Sequence, residues 1–152
     1  MIDLPRALPP VPCAPLCGPP PTLLLASERK SVRYARDFVR AFIVHHSPDA
    51  PGTHIDAVVL VTSELVTNAY RYGTEPDDLI RVVLDVEGGR TRVEVHDPVR
   101  RTPRRRFKST EGDDESTRGR GLVILDALCP GQWGFAGRPF GKFVWAEIRQ
   151  VC

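Results

Sequence analysis

The amino-acid sequence predicts a two-layer α/β sandwich, an α+β arrangement with helices packed on one face of a β-sheet. Three observations carry that expectation. Apolar residues recur every three or four positions from Val32 to Ala69. They then alternate with polar ones from Ile80 to Val95, and a short helical stretch followed by an apolar strand closes the chain.

Residues 1–21 precede this pattern and hold eight of the chain's 15 prolines. Each proline fixes φ and removes an N–H donor, so the segment reads as an extended, flexible tail. It has no basic start and no continuous apolar run, so it does not read as a secretory signal. The folded domain is expected over residues 22–152. Ser27 can cap a first helix whose positions Val32, Ala35, Val39 and Phe42 share a face. That helix should stop near His45-His46-Ser47-Pro48, because a residue before proline avoids the helical region. A second helix begins after Thr53, carries Ile55, Val58, Thr62, Leu65 and Ala69 on one face, and ends at Gly73.

The period then changes to two. Ile80, Val82, Leu84 and Val86 form one strand, Gly88-Gly89 a tight turn, and Val93 and Val95 mark the return. The apolar pattern disappears from Pro98 to Arg118. A short helix from Leu122 to Leu128 and a last strand from Phe143 to Ile148 complete the reading.

Composition narrows the function classes. The chain has 152 residues and a net charge of +2, which gives no global attraction to nucleic acid or anionic lipid. No apolar run approaches the roughly 20 residues that span a bilayer. Cys13 and Cys17 lack a second closely spaced pair, and the four histidines have no ligand spacing among themselves. The cysteines therefore read as reduced thiols in a cytoplasm.

The chemistry-bearing residues lie in three places. Glu64 and Asn68 stand four apart on the second helix and share a face. Asn68 offers a neutral oxygen suited to Mg²⁺, which takes few protein ligands, and Glu64 can accept a proton. Alone, the pair reads as two solvated helix residues. Asp97 ends a strand, where a carboxylate can accept a hydrogen bond from an amino group such as that of adenine; it can also simply open a turn before Pro98. Gly119-Arg120-Gly121-Leu122 leads into a helix, where unobstructed N–H groups can meet phosphate oxygens. An ordinary glycine turn has the same sequence.

In order, these pieces resemble the ATP-binding domain of the GHKL superfamily, and most of all the small anti-sigma-factor serine kinases with a histidine-kinase-like ATPase domain. The N-box is Ser63-Glu64-Leu65-Val66-Thr67-Asn68-Ala69, and the G1-like box runs from Val93 through Asp97 to Pro103. Gly119-Arg120-Gly121-Leu122 is the G2 box, followed by Trp133-Gly134 and by Gly141-Lys142 through Glu147. Two positions depart from the pattern: Pro98-Val99 replaces an Asp-x-Gly ending, and Tyr72 stands where many relatives have histidine.

The resemblance implies a Bergerat-type fold with a mixed sheet, and ATP with Mg²⁺ as cofactors. It makes Asn68 the Mg²⁺ ligand, Asp97 the adenine reader, and Gly119, Arg120, Gly121 and Leu122 the phosphate turn. Glu64 becomes the general base for phosphorylating a partner's serine. The implied partners are a sigma factor, an anti-anti-sigma protein with a STAS-like fold, and a second copy of the chain, in the regulation of transcription. Two other readings compete. One is a nucleotide-sensing module without catalysis. The other is a nucleic-acid-binding domain built on the basic cluster Arg100–Lys108, which the adjacent acids Glu111 to Glu115 and the small net charge argue against.

Overall fold

Alternation of apolar and polar residues demands a sheet with one buried face, and the two amphipathic helices supply the cover. The computed structural model describes residues 21–98, 123–139 and 141–151. Their order is β1 (Thr22–Ala26), α1 (Ser31–His46), α2 (Gly52–Asn68), a π-helical turn (Ala69–Gly73), β2 (Leu79–Glu87), β3 (Arg90–Asp97), a helical segment α3 at 123–128, β4 (Trp133–Arg138) and β5 (Gly141–Arg149). The strands form one five-stranded sheet in the order β1-β2-β3-β5-β4.

The core lies between this sheet and the helices. Ala35, Val39, Phe42 and Ile43 come from α1, and Val58, Val61, Leu65 and Val66 from α2. They meet Ile80, Val82, Leu84, Val93, Val95, Ala146 and Ile148 of the sheet. The residues expected on the inner face of α2 are buried there, except that Ile55 is only half-buried. Thr62 is fully buried, and its hydroxyl donates to the Val58 carbonyl at 2.8 Å, which satisfies it. Gly88 and Gly89 both have positive φ, as a two-residue hairpin turn of matching twist requires.

Four expectations need correction. All described strand pairings are antiparallel, where a mixed sheet was expected. The reason is topological: β4 runs in the same direction as β3, but β5 inserts between them. Ser27 does not cap α1. Its hydroxyl bonds that of Thr74, while Lys30 holds the cap position and Ser31 Oγ donates to the Ala26 carbonyl at 2.7 Å. Strands β1 and β4 were not expected. Gly73 ends the second helical stretch, but without the left-handed conformation of a glycine cap. The proline-rich residues 1–20 and the charged segment with Arg100–Lys108 lie outside the described residues, as do Cys13, Cys17 and Cys152. Cys129 is buried, and burial pushes its thiol up to about 11, leaving it protonated and inert at neutral pH.

Among the described residues, no helix is long and apolar enough to cross a membrane. At the far end of the core from the site, His54 Nε2 and Thr91 Oγ1 are 2.9 Å apart in a buried pair linking α2 to β3. Burial holds the His54 pKa below its ordinary value of 6.5, opposed in part by the nearby Arg149 backbone. The unfolded chain therefore binds a proton near pH 6.5 that the folded chain refuses until lower pH. Stability should fall as pH drops below 6.5, by at most about 1.4 kcal/mol per pH unit for this group. Melting curves at stepped pH test this, and His54→Gln should flatten the slope.

Candidate functional site

The apolar stripe of α2 fixes which residues face outward. Glu64 and Asn68 sit one turn apart at the edge of the buried face, both half-buried. Ser63, immediately before Glu64, is buried and accepts a hydrogen bond from Arg36 Nε, which ties this point of α2 to α1. Beyond Asn68 the helix widens into the π turn. Thr74 Oγ1 closes it, donating toward the Ala69 and Tyr70 carbonyls at 3.1 and 3.2 Å. A π turn of this kind often marks a functional site, because it re-aims the chain without ending the helix.

Here it delivers Gly73 onto Asp97. A Cβ at position 73 would stand 2.5 Å from Asp97 Oδ2 and 2.6 Å from Cγ. Only a residue without a side chain lets the end of this helix rest on that carboxylate. Asp97 is 6% exposed at the end of β3, on the same face as Val93 and Val95. Directly across the strand pair lies Lys142, 8% exposed, with its Nζ 3.6 Å from Asp97 Oδ2. A buried carboxylate needs such a partner to stay charged.

The structure thus joins the end of the Glu64–Asn68 helix to Asp97. Gly119, Arg120, Gly121 and Leu122 lie outside the described residues. The helix they lead into is described from residue 123, where Leu125 enters the core and Asp126 accepts from Trp133 Nε1 at 2.8 Å.

Residues 25–129 match the family model of the histidine kinase-like ATPase domain. The chain belongs to that family. No curated protein matches it. As a histidine kinase-like ATPase domain of the GHKL superfamily it binds ATP, in a regulatory role. The matched segment contains α2, the π turn and Asp97, and stops before β5. Lys142 therefore comes from beyond it and was missed as a site residue in the sequence. The ATPase-domain reading also explains Gly73, which as a mere helix stop needs no particular neighbour.

Mg²⁺ suits the donors on α2. Among the described residues no cluster of three His, Cys, Asp or Glu can hold a metal alone. A divalent ion that keeps its waters and takes oxygen from the nucleotide needs only a carbonyl such as that of Asn68. Gly73→Ala tests the contact with Asp97. The new methyl must displace a short, buried carboxylate, so ATP affinity should fall at least about tenfold, the effect of about 1.4 kcal/mol of overpacking at the site. Gly52→Ala, where a Cβ meets nothing within 4 Å, is the matched control and should leave affinity unchanged. Calorimetry reads both.

Proposed function

We propose that this ATPase domain is a cytoplasmic anti-sigma-type regulator that phosphorylates a serine on a STAS-like anti-anti-sigma partner, sequesters a sigma factor, or does both. One observation supports the reading above the others: Glu64 and Asn68 lie on the helix whose end rests on the buried Asp97 carboxylate. Glu64 and Asn68 share α2, and the π turn that continues it meets Asp97 on β3, which supports reading the three as base, metal-suited oxygen and amine acceptor of one site. Asp97 accepts from the adenine amino group, with the Lys142 ammonium beside it. Asn68 holds Mg²⁺, which neutralises phosphate charge when bound. Glu64 takes the proton from an incoming serine hydroxyl. Phosphoryl transfer of this sort depends on positioning and electrostatics, which rigid attachment to α2 favours.

The testing experiment incubates the full chain with labelled ATP and a cognate STAS-domain protein. Label on a partner serine is the expected result. Nucleotide-dependent binding without transfer would replace the kinase by a nucleotide sensor. The metal role has its own test. ATP titrated with and without Mg²⁺ should show a metal-dependent gain that Asn68→Ala removes, while metal-free affinity changes little. Equal gains in both proteins would move the ligand elsewhere.

A further inference from the structure

The sheet face turned away from the helices carries a second concentration of chemistry. His96 neighbours Asp97 on β3 and so points to the opposite side of the sheet. Its ring is buried and stacks on Phe143 of β5, with centroids 4.8 Å apart. Nε2 lies 2.8 Å from Glu94 Oε2, an acceptor, so it carries the proton and Nδ1 presents a lone pair. Two guanidiniums reach for that single lone pair, Arg81 from β2 at 3.3 Å and Arg138 from β4.

One lone pair cannot satisfy two guanidiniums, each with five N–H donors in a fixed fork. Glu94, the nearest carboxylate of the cluster, already takes His96 and Arg92, whose Nε lies 3.0 Å from Oε1. Among the described residues, no carboxylate lies within 4.0 Å of either Arg81 or Arg138. Both guanidiniums line a cleft of about 280 Å³ with His96 and Asp97, between apolar walls from Leu79, Pro98 and Pro139. The surplus is thus two positive charges, donors to spare, and a concave space beside them.

We infer that this cleft, at the end of β3, binds a phosphate-type oxyanion between Arg81 and Arg138. Paired guanidinium forks match the geometry of a tetrahedral dianion, and two of them balance its charge. The apolar walls leave room for the organic part of a phosphate monoester. The inference does not need the kinase reading, because Arg81, Arg138 and His96 have no part in it, and saturating ATP in the test separates the cleft from the nucleotide site that Asp97 adjoins.

The experiment titrates inorganic phosphate, and separately phenyl phosphate, into the full chain already saturated with ATP and Mg²⁺, following the ring C–H signals of His96 by NMR. Saturable shifts at His96 are expected, tighter for phenyl phosphate if the apolar walls contribute. Arg138→Gln changes an exposed side chain and should weaken phosphate binding at least about tenfold, the loss of one charge-assisted contact of about 1.5 kcal/mol or more. Arg81→Lys keeps the charge but loses the fork, and should fall between wild type and Arg81→Gln. Arg33→Gln, exposed on α1, is the control and should change nothing. Absence of His96 shifts with phosphate, or equal affinity in wild type and Arg138→Gln, overturns the site. A phosphate response seen only when ATP is omitted also overturns it, by assigning the anion to the nucleotide site.

Discussion

Asp97→Asn should weaken ATP binding by about 100-fold, the largest binding loss expected from a single polar change in this domain. The carboxylate is the only form of that side chain that accepts from an adenine amine while balancing a buried ammonium. An amide keeps the shape but loses the charge. A hydrogen bond to a charged group contributes about 1.5–3 kcal/mol, which sets the scale of the loss. It should also narrow the preference of ATP over GTP, since an amide can turn its NH₂ toward a carbonyl-bearing base. Lys142 lies 3.6 Å away with both partners buried, so the single variant also removes this ion pair. Breaking such a pair costs about 3–5 kcal/mol of stability, which could lower affinity indirectly. The double variant Asp97→Asn with Lys142→Met separates the effects. It should recover much of the melting temperature and none of the ATP affinity. Recovery of both would make Asp97 a stabilising partner of Lys142 rather than the reader of adenine.

The two signals that were legible in the sequence are those with a strong period. The α2 stripe of Val58, Thr62, Leu65 and Ala69 is buried as its spacing requires, and the β2–β3 hairpin closes on the Gly88-Gly89 pair. Strand β1 lacked such a signal. Leu23, Leu24 and Leu25 run without alternation, and only Leu25 is buried, because an edge strand contacts the core at few points. Strand β4 is the other edge, interrupted by Gly134 and Gly137, with none of its residues fully buried. Ser27 misled for a related reason. A serine before a helical pattern is a good cap, but with β1 in place it lies in the connection and bonds Thr74 instead.

The site divides in the same way. Glu64, Asn68 and Asp97 stand out because motif residues keep their spacing along the chain. Lys142 and the Gly73 contact do not, since each depends on a tertiary placement. Lys142 meets Asp97 only because β5 inserts beside β3 in a register that pairs those two residues. Gly73 meets Asp97 only because the π turn shifts the chain after Asn68. No period in the sequence encodes either event. The same holds for Arg81 and Arg138, which come to His96 from β2 and β4 through the strand order alone.

Glu64→Gln separates catalysis from binding. Glu64 lies one helical turn before Asn68, on the same edge of α2, so its carboxylate is held near the metal-suited oxygen by the helix itself. Glutamine preserves volume and helix propensity but cannot accept a proton. ATP binding should therefore stay close to wild type, and the melting temperature should change little because Glu64 is only half-buried. Transfer of labelled phosphate to the serine-bearing partner should drop by about 10²–10⁴-fold, the usual contribution of a general base. The pattern on kinetics follows: kcat and kcat/KM fall together, because the interaction exists only as the hydroxyl attacks. Glu64→Asp tests position within the same chemistry. It keeps the base one methylene further from the hydroxyl and should recover part of the rate, whereas a purely structural role would show equal loss in both variants. Equal transfer by wild type and Glu64→Gln would leave the kinase intact and assign its base to another residue.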